Sequence, residues 1–269
     1  GYKKIGLTPT TGDIYMDKSI SKKIEFLEDL NRYDGYFFYT NFIPIKKNQI
    51  EELFNKNKLI SFGISIYGHD LETFKKFSGG TINAYNKMIE NLIFLEKILK
   101  KKDQTFEISI SQRTEKNFNL QNNHSDLSNI IKKILKKDKV IYEANSEFNN
   151  WGGIIKIDDV KNLNIDLNTT KTTKIGSCSL IYSRLIIGAN GVVNACACRD
   201  ANYSLRLGNV KTEKIKNIIS LKNKKYKDLI DRQENNDFPE VCRSCDFYRS
   251  IYQKNFPTWI LRNKKTRHH

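Results

Sequence analysis

The sequence predicts an α/β protein in which strand–helix repeats build a parallel sheet and a smaller, cysteine-bearing domain follows. Three observations predict it. Short apolar runs alternate with stretches of helical apolar spacing from the start of the chain to Ala144, the pattern of βαβ units. After Trp151-Gly152-Gly153 the composition shifts, and Asp158 to Thr173 is polar and loop-like. All five cysteines lie after residue 177.

In chain order, Tyr2 to Thr8 is a short apolar-leaning strand, and Ser19 to Asn31 places Ile20, Ile24, Leu27 and Leu30 at helical spacing. Gly35 to Thr40 (GYFFYT) is a buried-strand run, Lys46 to Asn55 is helical, and Leu59 to Tyr67 (LISFGISIY) is a strand that ends at Gly68. Thr81 to Lys100 carries Tyr85, Met88, Ile89, Leu92, Ile93 and Leu95 on an apolar stripe, read as core. Thr105 to Ser111 is a strand, Asp126 to Lys136 a helix and Val140 to Ala144 a strand.

The second part reads differently. Leu180 to Ile187 and Val192 to Ala195 are strand-like runs flanking Gly188-Ala189-Asn190-Gly191, and Asn-Gly between apolar runs predicts a hairpin. Its open end brings Cys178 and Cys196 within reach of each other. Lys214 to Ser220 and Tyr226 to Arg232 are helical, and Phe238-Pro239-Glu240 leads the chain to Cys242-x-x-Cys245. The domain boundary is set at 160, giving 1–160 and 161–269.

Thiolates gathered from three separate stretches suit a metal centre, and their spacing alone leaves tetrahedral zinc and an iron–sulfur cluster both open. A disulfide framework belongs to small secreted domains, whereas 269 residues can bury an ordinary core. Cys198 is a fifth thiol, read as a packed side chain with a ligand role as the alternative.

Composition narrows the class. With 39% hydrophobic and 28% charged residues the chain is a globular protein. No apolar run reaches the length of a membrane span, nothing at the start reads as a signal peptide, and the expected compartment is the thiol-reducing cytoplasm. The net charge of +16 comes from lysines scattered along the chain, without the interleaved aromatics that stack on bases, so nucleic acid is not the expected partner.

In parallel α/β sheets ligands sit at the C-terminal ends of the strands. Here those ends carry Thr8, Thr10, Thr11, Gly12 and Asp13; Thr40 and Asn41; Ser65 and Tyr67; Ser109, Ser111 and Arg113; and Asn145, Ser146 and Asn149.

These residues resemble a known family. Leu7-Thr8-Pro9-Thr10-Thr11-Gly12-Asp13 is similar to the loop after the second barrel strand of radical SAM enzymes, and Thr40-Asn41 resembles the end of their third strand. Ser65-Ile66-Tyr67-Gly68-His69-Asp70, with Glu72-Thr73-Phe74, Tyr85 and Asn91-Leu92, is similar to the fourth strand and its helix. Cys178, the Asn-Gly hairpin, Cys196, Leu207-Gly208-Asn209-Val210 and Cys242-x-x-Cys245 look like a SPASM/twitch domain. The resemblance covers nearly the whole chain; its barrel motifs are individually weak, and the order of the tail is more specific.

The resemblance implies a partial TIM-like (β/α)6 barrel lacking its first βα unit, followed by the SPASM/twitch domain. It implies hydrogen abstraction by a 5′-deoxyadenosyl radical made from S-adenosylmethionine, in an oxidoreductase that takes electrons from an external donor. Gly12 and Asp13 would hold the methionyl amino group, and Asn41, Ser65 and Arg113 would contact the ribose and carboxylate. Cys178, Cys196, Cys242 and Cys245 would bind one auxiliary 4Fe–4S cluster, for electron transfer or for structure.

One departure stands out. The family's Cys-x3-Cys-x2-Cys motif, which holds the catalytic 4Fe–4S cluster, does not occur in the sequence. The chain starts at what resembles the second strand, so it is expected to be part of a longer enzyme rather than a degenerate relative. On that expectation, S-adenosylmethionine and the second cluster bind only with the missing segment, and the catalytic residues cannot be named. The alternative is an inactive four-cysteine zinc or iron–sulfur module. The substrate is expected to be a peptide, a sugar or a small metabolite, and Trp151 is expected in the core.

Overall fold

A computed structural model describes residues 3–168 and 173–253. Tyr2 of the first expected strand and the tail from 254, with His268 and His269, lie outside the described residues. The chain divides into two units. The first runs to 148 and includes 158–166; the second takes 149–157 and the described residues after 166.

In the first unit the strands are β1 (Lys4–Gly6), β2 (Gly35–Thr40), β3 (Leu59–Tyr67), β4 (Glu107–Arg113) and β5 (Val140–Asn145). They pair in sequential order, every pair parallel. Between them lie helices α1 (Ile20–Asp29), α2 (Lys47–Leu53), α3 (Leu71–Ser78), α4 (Ile82–Leu99) and α5 (Asp126–Ile134). This is the sheet of βα repeats expected of a partial barrel.

The strand pleat sorts side chains between two faces. Tyr36 and Phe38 of β2, Phe62, Ile64 and Ile66 of β3, and Ile108 and Ile110 of β4 are all fully buried at 0% exposure, in one cluster with residues of each helix from α1 to α5. The rings of Phe38 and Phe42 stack on Phe62 at 5.7 and 6.3 Å. The opposite pleat positions of β3 and β4 carry Gly63, Ser65 and Tyr67, and Ser109, Ser111 and Arg113.

Capping residues set the helix starts. Asp70, Thr81 and Ser125 each accept a hydrogen bond from the backbone N–H three residues on, at 2.8, 3.2 and 3.1 Å, and so begin α3, α4 and α5. Gly68 makes the turn from β3 to α3: its φ is +79, and a Cβ there would lie 2.4 Å from the Phe74 nitrogen. On α4, Tyr85, Met88, Leu92 and Leu95 are buried as expected, but Ile93 is 39% exposed. The stripe is narrower than the run of apolar letters suggested, because Ile93 follows Leu92 by a 100° turn away from the core.

Short elements β6 (Glu147–Phe148), α6 (Ile157–Val160) and β7 (Asp166–Leu167) occupy the stretch where the chain passes between units. The sequence placed a single boundary after 160, whereas 149–157 packs with the second unit. Asn150 donates from its backbone to Asp246 at 2.9 Å and from its side chain to the Ser244 carbonyl at 2.9 Å. Gly152, with φ +68, comes so close to Arg199 that a Cβ would lie 2.7 Å from its carbonyl oxygen.

The second unit contains α7 (Leu180–Ser183), β8 (Ile186–Ile187), β9 (Val192–Asn194), β10 (Arg206–Asn209), α8 (Ile215–Ile218), α9 (Lys224–Glu234) and α10 (Glu240–Ser244). The expected hairpin forms: β8 and β9 pair antiparallel, Gly188 N–H donates to Val192 at 2.8 Å, and Gly191 takes φ +84 at the turn. The expected strand from Leu180 shrinks to Ile186–Ile187. Leu180–Ser183 coils into one helical turn, which buries Leu180 and Ile181 while the preceding Ser179 N–H is held by the Arg249 carbonyl at 2.7 Å. A short apolar run does not separate strand from buried helix.

Candidate functional site

In the first unit the strand ends form a polar surface. Register sets Ser65 opposite Ser111, and Tyr67 opposite Arg113. Ser111 in turn lies opposite Glu143, to which its hydroxyl donates at 2.9 Å. Arg113 lays its guanidinium over the Tyr67 ring at 5.2 Å, which leaves the planar edge of the fork for a carboxylate-like acceptor. Ser65 and Arg113 therefore share one pleat face at the C-terminal ends of adjacent strands.

The loop after β1 is braced by Asp13. Its buried carboxylate accepts from Tyr15 N–H at 2.9 Å, from the Thr40 hydroxyl at 2.9 Å and from Asn41 N–H at 2.6 Å. Most of its acceptor capacity is thus used within the protein, and it ties the loop to the end of β2. Asn41 spends its side-chain carbonyl on Ile43 N–H at 3.0 Å. Gly12 is exposed, with φ +90. Next to it, the Thr10 hydroxyl is buried with no hydrogen-bond partner among the described residues, a polar atom that a ligand would satisfy.

In the second unit one pocket is lined by all five cysteines together with Arg199, Gln233 and Phe247. All five are free thiols. Cys242 sits in α10 and Cys245 caps it, an arrangement that Pro239 starts by receiving Cys242 N–H at 2.9 Å. Cys178 is fixed by a bridge to Ser250. Cys196 follows β9, and the loop after it is organised by Asp200, which accepts from Ser204 N–H, Leu205 N–H and the Asn194 amide at 2.8 to 2.9 Å.

Gln233 of α9, fully buried, links two of the thiol positions. Its carbonyl accepts from Cys178 N–H at 2.9 Å and its amide donates to the Cys242 sulfur at 3.4 Å. Phe247 N–H donates to the Cys245 sulfur at 3.3 Å. Such N–H donors favour sulfur carrying negative charge.

Burial works against that charge while the thiols stand alone. It pushes Cys242 and Cys245 up to about 12 and raises Cys178 and Cys196, with the neighbouring thiols adding to the rise. A coordinating metal reverses this logic by binding the thiolate. The thiols line a common wall without converging on a point: among the described residues no three His, Cys, Asp or Glu side chains are grouped tightly enough for a single metal ion.

Sequence reasoning missed Glu143, Gln233, Arg199 and Arg249. Alternation along Val140–Asn145 could have placed Glu143 on the Ser111 face; nothing local marks the other three. Trp151 is half-buried with φ +50 rather than a core side chain, and Arg199 lies over its ring at 5.9 Å.

Residues 178–246 match the SPASM model, described as an iron-sulfur cluster-binding domain. No curated protein matches the sequence. Among solved structures, Streptococcus suis SuiB aligns with a TM-score of 0.53 at 11% identity, over 91% of this chain and 62% of SuiB, less than two thirds of its length. SuiB bound to precursor peptide SuiA aligns at 0.52 and 11% identity, over 91% of this chain and 61% of that one. BtrN in complex with AdoMet and 2-DOIA aligns at 0.50 and 14% identity, over 90% of this chain and 72% of BtrN. The fold is shared with SuiB and BtrN, and all five cysteines of the thiol pocket fall within the stretch that matches the SPASM model. No helix among the described residues is long and apolar enough to cross a membrane.

Proposed function

We propose, from a radical SAM/SPASM fold whose SPASM domain occupies 178–246, that the chain is the barrel and auxiliary-cluster part of a radical SAM oxidoreductase. When bound, S-adenosylmethionine and its catalytic cluster supply a 5′-deoxyadenosyl radical that abstracts a substrate hydrogen. One observation carries the reading: a single pocket lined by Cys178, Cys196, Cys198, Cys242 and Cys245.

Cys178, Cys196, Cys242 and Cys245 are the ligands of one auxiliary 4Fe–4S cluster in a twitch-like arrangement, with Cys198 packed beside them. Thiols set around a pocket suit a cluster, whose ligands bind different irons, better than a lone zinc with four Zn–S contacts of about 2.3 Å. Once thiolates bind the cluster, the Gln233 and Phe247 donors would add to the stabilisation of their charge.

On the first unit, Ser65 and Arg113 orient the ribose and carboxylate of S-adenosylmethionine, with Asn41 at the edge of the same surface. Gly12 lets the loop approach the methionyl amino group closely. Asp13 acts mainly by holding that loop on β2, so acceptors for the amino cation come from the loop itself, the Thr10 hydroxyl included. A peptide substrate is in keeping with SuiB, whose structure is seen with a precursor peptide.

Anaerobic reconstitution with iron and sulfide, followed by metal and sulfide analysis, tests the reading. A brown protein with about four iron and four sulfide per chain is expected, and Cys245→Ala loses it. A colourless protein holding one zinc and no sulfide overturns the reading in favour of a zinc module.

A further inference from the structure

One side chain touches two of the three stretches that bring the thiols together. Gln233 of α9 is fully buried and lines the thiol pocket. Its Oε1 accepts from the Cys178 N–H at 2.9 Å, and its Nε2 donates to the Cys242 Sγ at 3.4 Å. A backbone N–H can only donate, so the Cys178 N–H fixes which end of the amide is oxygen. The nitrogen end is thereby turned on Cys242. Gln233 is a donor locked in orientation, not an amide free to offer the sulfur either end.

Other donors at the thiols belong to the backbone. Phe247 N–H donates to the Cys245 sulfur at 3.3 Å. The backbone of Leu180 and Arg249 acts on Cys178, and that of Cys198 and Arg199 on Cys196, in each case favouring the thiolate. These donors come with the turns that present the cysteines, whereas Gln233 is a side chain brought in by a helix. Its neighbours in the second core include Leu229, Phe238 and Tyr248, among which an apolar side chain of similar volume would be the simpler filling. What the amide adds is its two hydrogen bonds. Burial pushes Cys242 up to about 12, and the Gln233 hydrogen bond works the other way. Hydrogen bonds to an ionised acceptor are roughly twice as strong as those to a neutral one, so this donor is worth most when the sulfur carries charge.

We propose that Gln233 is the tuning residue of the auxiliary cluster: its hydrogen bond to the Cys242 sulfur raises the reduction potential. The inference rests on the cluster reading above. Uptake of one electron leaves the cluster and its thiolate sulfurs more negative, so a donor fixed on one of those sulfurs stabilises the reduced form more than the oxidised form. The electron comes from the reductant, and no proton or ligand changes place. A higher potential makes the cluster a better acceptor for an electron given up by a substrate radical. Gln233 acts through Cys242 and is a positioning residue, not a ligand.

Redox titration of the reconstituted full chain with dithionite as reductant, followed by visible absorbance and by the spin signal of the reduced cluster, tests this. Gln233→Leu, which keeps the volume and removes the donor, should lower the reduced-to-oxidised ratio at fixed potential about tenfold, or about 59 mV for a one-electron couple. A Gln233→Leu chain that holds the native iron and sulfide with an unmoved or raised midpoint overturns the proposal. Should that variant not fold, for want of the Cys178 acceptor, the native chain decides. With isotopically labelled nitrogen in the glutamine side-chain amides, electron spin-echo modulation from the reduced cluster should show a coupling to the label; Gln253, the other described glutamine of the second unit, is exposed. A reduced cluster without that coupling overturns the proposal and leaves the cluster reading standing. A native chain that takes up no iron or sulfide overturns the cluster reading and this inference with it.

Discussion

The two units reach stability by different chemistry. The first stacks phenylalanines and isoleucines from three parallel strands into one continuous core, with Phe38, Phe62, Ile64 and Ile108 fully buried and no cysteine anywhere in it. The second is built from strands of two to four residues and several helices of four or five, and its smaller core includes Cys178 and Cys242 themselves. On the proposed reading, where apolar area is scarce the side chains that would bind a cluster are placed inside the core, so that binding free energy would become folding free energy. The first unit is held by burial; in the second, the proposed ligands are part of the core itself.

The largest expected effect separates the two. Stripping iron with a chelator, or replacing Cys242 by Ala, should unfold the second unit outright while the first stays folded. Hydrogen exchange reads both at once: amides of Val192–Asn194 lose protection, and those of Leu59–Tyr67 keep theirs. Equal loss in both strands would break the comparison. The reverse perturbation comes next. Phe62→Ala empties a position stacked on Phe38 and Phe42 and should destabilise the first unit by about 3–5 kcal/mol, read as a lower denaturation midpoint. Iron and sulfide content should not change.

The same contrast explains what was legible in the sequence. Gly35–Thr40 and Leu59–Tyr67 are strands at the residues their apolar runs mark, and Thr81 caps α4 at the position its pattern indicates. Long periodic segments that bury one face announce themselves. In the second unit the cysteine order and the Asn-Gly turn were readable because each is a chemical signature confined to a few letters. The helical turn at Leu180–Ser183 was not, since four apolar residues carry no period. Nor was Gln233, whose role depends on a contact with a residue distant in the chain: it meets Cys178 across 55 positions. Asp13 shows a third case. The residue stood out at a strand end, but its partners Thr40 and Asn41, which make it a brace, are supplied only by the pairing of β1 with β2.

Asp13 provides the next prediction in size. Asp13→Ala leaves Asn41 N–H and Tyr15 N–H without their acceptor and should cost the first unit about 1–3 kcal/mol, measured by urea denaturation. Asp13→Asn, which retains one acceptor oxygen, should cost less. If S-adenosylmethionine binds at this loop, both should weaken it through loop disorder, and isothermal titration should show a less favourable entropy together with the lower affinity. Loss of affinity with the native loop order retained would make Asp13 a direct contact.

The smallest effect tests whether charge matters to the first unit only at its surface. Asp17 accepts from Ser19 N–H at 2.9 Å, from the Ser19 hydroxyl at 2.7 Å and from Lys23 at 2.5 Å, ahead of α1. The Lys23 and Ser19 hydrogen bonds hold its carboxyl down at about 2, from an ordinary 3.8. Because the folded value is the lower one, the stabilisation is complete above about 4 and is lost as pH falls through about 2. The side chains of the pair are 57% and 35% exposed, so solvent screening keeps the contribution below about 1 kcal/mol. Asp17→Asn should therefore lower the stability of the first unit slightly at pH 7, and the gap from native should close as the pH is lowered below 4. Added salt should narrow it at pH 7 as well, since an exposed pair is screened.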